Sequence, residues 1–89
     1  MSMFGANPEQ LAALGRQLQR QIDSIEAITS TVTSALGGTT WVGPARDRFE
    51  QEWTGSFRTA LARLGEAFDA AGRDCVQRSA ELQRVMGAG

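Results

Sequence analysis

The sequence predicts an all-α protein, an antiparallel two-helix hairpin that completes a four-helix bundle by dimerisation. Three observations lead there. Apolar residues recur at intervals of three and four along two long stretches. Between them, Gly37-Gly38-Thr39-Thr40-Trp41-Val42-Gly43-Pro44 carries the chemistry of a turn. Both apolar faces are also too broad for two helices to cover by themselves. The 89-residue chain reads as a single helical-hairpin domain, with helix one over about 8–36, a turn over 37–43 and helix two over about 44–86.

Helix one opens on Asn7-Pro8-Glu9-Gln10. Asn is an N-cap residue, Pro fits the first helical position, Glu sits near the positive end of the dipole, and Gln stands where a capping box places it. Its stripe is Leu11, Leu14, Leu18, Ile22, Ile25, Ile28 and Val32. Within it Leu11, Leu18, Ile25 and Val32 are seven apart, the seam that an antiparallel helix pair or a coiled-coil-like bundle buries. Gln21 falls among these positions and marks either a register or a wet point in the seam. Thr29 to Thr33 lowers helix propensity toward the end.

The glycines at 37 and 38 free the backbone to leave this helix, Gly43 permits φ > 0, and Pro44 suits the first turn of the next. Trp41 is the bulky exception. An indole in a short loop packs back between the helices or awaits a partner.

Helix two contains no proline after Pro44, and its stripe runs through Phe49, Trp53, Phe57, Leu61, Leu64, Phe68, Cys75, Leu82 and Met86. Trp53, Leu64, Cys75 and Met86 are spaced by eleven, close to the natural helical period, so strong supercoiling is not required. Asp69 with Arg73 and Asp74 with Arg78 form acid-before-base pairs four apart on a solvated face. Gly55, Gly65 and Gly72 interrupt the helix. Gly65 and Gly72 are either tolerated or let another helix approach closely. At 1.5 Å per residue helix one spans about 43 Å and helix two about 64 Å. The last turns of helix two, with Cys75, Leu82, Val85 and Met86, should therefore extend past helix one. An uncovered tail and two broad apolar faces make an unfinished core, and a second hairpin completes it.

Composition narrows the function. Nine Arg and no Lys against ten acidic residues leave a formal charge of -1, which gives no electrostatic grip on nucleic acid or on an anionic membrane. There is no His and no Tyr, and only one Cys. The usual general base, triad partner and metal ligands are missing, so no catalytic residue, metal site or cofactor is assigned. Asp47, Glu50 and Glu52 interleave with Arg46 and Arg48 as solvated charge, and Gly37-Gly38-Thr39-Thr40 lacks the strand and Lys of a phosphate loop. The N-terminal Met1 to Pro8 lacks the basic and apolar regions of a Sec signal peptide. No stretch is long and apolar enough to span a bilayer. The polar faces are not Lys/Arg-rich, so membrane action is unsupported.

A chain of this length, with two helices joined at Trp41-Val42-Gly43, resembles the WXG family of small bacterial proteins exported by type VII (Esx) secretion systems. The resemblance covers nearly the whole chain, and the Ala45, Phe49, Trp53 and Phe57 run after the motif agrees with it. The Lys-free, Arg-rich composition fits a high-GC actinobacterial source. The resemblance implies homodimers, or heterodimers with a related WXG protein, that are recognised folded by a type VII secretion ATPase and exported without a cleaved peptide. It implies that Trp41 and Gly43 form part of the export signal. The second element, a C-terminal Tyr-X-X-X-Asp/Glu motif, has no counterpart here, since the sequence holds no Tyr. A partner supplies that element, another C-terminal feature replaces it, or the chain is an intracellular companion, a helical adaptor or chaperone for a larger protein or toxin.

Overall fold

The computed structural model describes residues 6–88; Met1 to Gly5, part of the stretch read for a leader, and Gly89 lie outside the described residues. Helix α1 is Pro8–Gly38. The second arm starts as α2, Pro44–Glu52, passes through a π-helical turn, Trp53–Phe57, and continues as α3, Arg58–Ala88. Helical dihedrals at Trp53 and Arg58 make that arm one unbroken rod. The molecule measures 67 × 21 × 17 Å. Its long dimension is that of the second arm, whose 45 residues at 1.5 Å each reach about 67 Å. The chain is an elongated helical hairpin.

The ends of the helices follow local chemistry. The Asn7 side chain accepts from the Gln10 amide at 3.0 Å, and Pro8 takes the first turn. At the other end α1 runs two residues past the predicted boundary. Gly37 and Gly38 stay helical, and the chain leaves at extended Thr39, whose hydroxyl donates back to the Ala35 carbonyl at 2.6 Å. The freedom needed to reverse direction lies instead at Gly43, with φ +126°, directly before Pro44. The connection is thus 39–43 rather than 37–43.

Two glycines set how the arms meet. A Cβ on Gly15 would lie 2.8 Å from both the Gly72 carbonyl oxygen and the Val76 Cγ2. A Cβ on Gly72 would lie 3.0 Å from the Gly15 oxygen and 2.7 Å from the Gln19 amide nitrogen. Backbone therefore packs on backbone here, at a spacing only glycine permits. Of the two glycines read as possible close-approach positions, Gly72 fills that role against Gly15, which the sequence pattern did not single out. Nothing lies within 4 Å of a Cβ on Gly65. Gln19 clamps the crossing by donating to the Asp69 carbonyl at 3.2 Å, and the buried Ser79 hydroxyl donates to the Pro8 carbonyl at 2.5 Å.

These contacts fix an antiparallel register in which Pro8 faces Ser79 and Gly15 faces Gly72. Residues after Ser79 run beyond the start of α1, and Val85 and Met86 there are exposed. Cys75, read as part of this overhang, belongs to the covered region. Its Cβ lies 3.1 Å from the position of a Gly15 Cβ.

Toward the connection the register meets a second requirement, burial of Trp53. The Trp53 indole N–H donates to the Thr33 hydroxyl at 3.1 Å. From Gly15 to Thr33 is 18 residues, whereas from Gly72 back to Trp53 is 19. The π turn accommodates that additional residue, since its wider loop holds one more residue than an α turn. The eleven-residue spacing does not keep one environment. Trp53 is buried, Cys75 half-buried, and Leu64 and Met86 exposed.

The resulting core is thin. Among the described residues only Ile25 (8 % exposed) and Trp53 (5 %) are buried large apolar side chains. Gly15→Ala or Gly72→Ala should destabilise the hairpin by about 1–3 kcal/mol through steric overlap. Gly65→Ala should instead raise stability by up to about 1 kcal/mol. Thermal or urea melts of the three variants check this contrast, and equal effects at all three positions would remove the glycine crossing as a constraint.

Candidate functional site

Four of the exposed apolar side chains, Leu14, Ile28, Phe57 and Leu64, gather on one side of the hairpin. Leu14 directly precedes Gly15 and Ala71 directly precedes Gly72, and one residue turns a helix by about 100°. Because the arms run in opposite directions, both rotations lead to the same side. The heptad copies of these positions are Leu14, Gln21, Ile28 and Ala35 on α1, and Phe57, Leu64 and Ala71 on the second arm. Leu14 and Ile28 are 49 % and 48 % exposed, and Phe57 and Leu64 are also exposed.

Between Leu14 and Ala35 on α1 and between Phe57 and Ala71 on the second arm, no charge interrupts this face. Gln17, Ser24 and Thr31 fill the spaces of the α1 row, while Ala60 and Ala67 fill those of the α3 row. The ion pairs each lie within one helix, and Asp74 with Arg78 closes the face at one end, on the same second-arm rows beyond Ala71. Arg73 meets Asp69 at 3.1 Å, Arg78 meets Asp74 at 2.9 Å, and Arg46 pairs with Glu50. The first two are those expected from the sequence. The hydrogen bond from Arg78 to Asp74, with its charge, raises the Arg78 guanidinium above its ordinary value and leaves an already permanent cation unchanged.

The sequence-predicted apolar positions thus separate into layers. Ile25 and Trp53 are buried; Leu11, Leu18, Ile22 and Val32 on α1, and Phe49, Leu61, Phe68 and Leu82 on the second arm, are half-buried. Leu14, Ile28, Phe57 and Leu64 form the outer layer. On the opposite side, a groove of about 570 Å³ opens between the arms, floored by Ile22, Ile25 and Leu61 and rimmed by Glu26, Arg58 and Glu66.

A second surface forms at the connection. Trp41 and Phe49 rings stand 6.5 Å apart, and Phe49 stacks on Trp53 at 6.3 Å with 11° between planes. An aromatic ladder therefore leads from the tip to the buried indole. Trp41 and Phe49 join Val32, Ala35 and Leu36 around a cleft of about 260 Å³. Trp41 remains 41 % exposed and its neighbour Val42 87 %. Trp41 thus packs against the ladder along one edge and meets solvent along the other. Among the described residues there is no group of three metal-ligating side chains, and no helix is long and apolar enough to cross a membrane.

Comparisons with known proteins add no relative: no protein-family model matches the chain, and neither the curated proteins nor the solved structures give a match.

The two tryptophans should respond differently to truncation. Trp53→Ala should cost about 3–5 kcal/mol by opening a cavity, and Trp53→Phe should lose the Thr33 hydrogen bond, worth about 1 kcal/mol. Trp41→Ala should cost no more than about 1 kcal/mol because the indole is already partly hydrated. Denaturant melts measure all three, and a Trp41→Ala loss as large as that of Trp53→Ala would contradict this division.

Proposed function

We propose that the chain is a non-enzymatic protein that works as a dimeric four-helix bundle, formed with itself or with a related Trp-X-Gly protein. It serves a type VII secretion system as a substrate or as the partner of one. The charge-free face with Leu14, Ile28, Phe57 and Leu64 carries the reading. Covering each of these half-exposed side chains is worth about 1 kcal/mol, roughly half the value of burying it from full exposure. A second hairpin laid on the face contributes two helices and converts the half-buried layer into a core.

Support for export comes from the connection. Gly43 and Pro44 turn the chain so that Trp41 and Val42 stand at the tip, where Trp41 borders the Ala35 end of the bundle face and Val42 is almost fully exposed. A secretion ATPase can contact them there without dismantling the bundle. The Tyr-containing element comes from the partner or has another C-terminal substitute. The non-enzymatic part of the reading rests on a chain without His or Tyr and with a single Cys.

In sedimentation velocity at micromolar concentration the chain, alone or with its related partner, should run as a dimer. Ile28→Glu combined with Leu64→Glu should dissociate it, since a like-charge or unpaired carboxylate would enter the interface. A compact, cooperatively melting monomer that binds no related chain would refute the bundle. Export has its own test: the chain should appear in culture medium only when the type VII ATPase is active. Retention inside the cell regardless of the ATPase would favour the intracellular adaptor or chaperone. Export that survives Trp41→Phe, with the dimer intact, would show that the indole itself is not read.

A further inference from the structure

We infer that the chain's own N-terminal segment, through Phe4, clasps the overhanging end of α3. Past Ser79, no helix of the described residues lies beside the second arm, because α1 begins at Pro8, whose carbonyl accepts from the Ser79 hydroxyl. The seven residues from Ser79 to Met86 extend about 10 Å. Leu82 and Met86 follow Ser79 by three and seven residues, so they share the side of the helix that Ser79 turns toward Pro8. Leu82 is half-buried and Met86 is 64 % exposed. Val85 flanks them, also exposed.

The chain that leads into α1 arrives at the foot of this overhang. Asn7 is extended, with φ −76° and ψ 116°, so the backbone departs from helical geometry one residue before Pro8. From Pro8 back to Phe4 is four residues, a span of at most about 14 Å. The level of Met86 lies within that reach without full extension of the segment. The aromatic ladder lies outside it, at the far end of a molecule 67 Å long.

The chemistry of the segment suits that surface. Met1-Ser2-Met3-Phe4-Gly5-Ala6-Asn7 carries no charged side chain, so no ion loses its water when it lies on the helix. Phe4 is the sole aromatic residue before Trp41. Its ring covers Leu82 and gains a sulfur–aromatic contact with Met86. Gly5 and Ala6 beside it are small and let the backbone come close to α3. A tether of four residues also holds the ring near the overhang at an effective concentration in the millimolar range, which a separate chain at micromolar concentration does not match. The clasp lies within one chain and does not depend on the dimer proposed above.

Amide hydrogen exchange of the full chain tests the clasp at residues 83–87, the last turn of α3, where a helix end without cover frays. Phe4→Ser should speed exchange there about tenfold and leave the amides around the glycine crossing unchanged. Phe4→Leu should keep most of the protection. Met86→Ser should also speed exchange, and adding Phe4→Ser to it should change little more, because both substitutions remove one contact. Equal exchange at 83–87 in the native chain and in Phe4→Ser overturns the clasp. Protection that then falls on dilution assigns the overhang to a second chain, and absence of protection at every concentration leaves it in water. Fully additive effects of Phe4→Ser and Met86→Ser overturn it as well, since Phe4 would then act elsewhere.

Discussion

The contact of Gly15 with Gly72 governs the rest of the molecule. Where two backbones touch, the arms can neither slide nor rotate, because any neighbouring residue would bring a Cβ into the space that glycine leaves empty. The register follows from that point: Pro8 opposite Ser79, Gln19 over Asp69, and the end of the second arm projecting past α1. The side of each helix left in water follows as well. Both contact glycines succeed a residue of the outer rows, so the crossing that joins the arms also turns those rows outward together.

The same contact creates a conflict that the π turn resolves. With the arms pinned at Gly15 and Gly72, an uninterrupted α-helix would carry Trp53 away from Thr33 by one residue. The wider turn over Trp53–Phe57 restores the indole to the interior and its N–H to the Thr33 hydroxyl. It also links the two ends of the hairpin mechanically. The aromatic ladder at the connection is held in place by a buried tryptophan whose position depends on a glycine crossing far along the rod.

Much of this was legible in the sequence, and the parts that were not share one cause. Asn7-Pro8 and Gly43-Pro44 announce helix starts because capping depends on a few adjacent residues, and the Asp69–Arg73 and Asp74–Arg78 pairs depend only on a four-residue spacing. The seven-residue seam of α1 likewise identified the inward side. Gly15 escaped notice because a lone glycine in a helical pattern has no local signature; its meaning resides in a residue 57 positions away. The π turn escaped for a related reason, since apolar intervals of three and four absorb one additional residue without visible disruption. Gly37 and Gly38 misled in the opposite sense. Glycine permits a helix to end but does not compel it, and the Thr39 hydroxyl capped the Ala35 carbonyl two residues later than expected. Layering within the apolar stripe, with Ile25 inside and Leu14 and Ile28 outside, became visible only when the helix–helix contact line was known.

Among the described residues the core holds two buried large apolar side chains and the outer row of α1 from Leu14 to Ala35 carries no charge; in the function proposed above, association finishes this fold. The dependence of the melting temperature on chain concentration tests this most directly. If unfolding and dissociation are one event, each tenfold increase in concentration adds about 1.4 kcal/mol to the stability of a dimer, and spread over two chains this raises Tm by about 4 °C. Over two decades of concentration, with its dimerising partner present, Tm should therefore climb steadily. A cooperative transition whose Tm stays constant over that range would contradict the account, for it would mean that the single hairpin is stable with its apolar face in water.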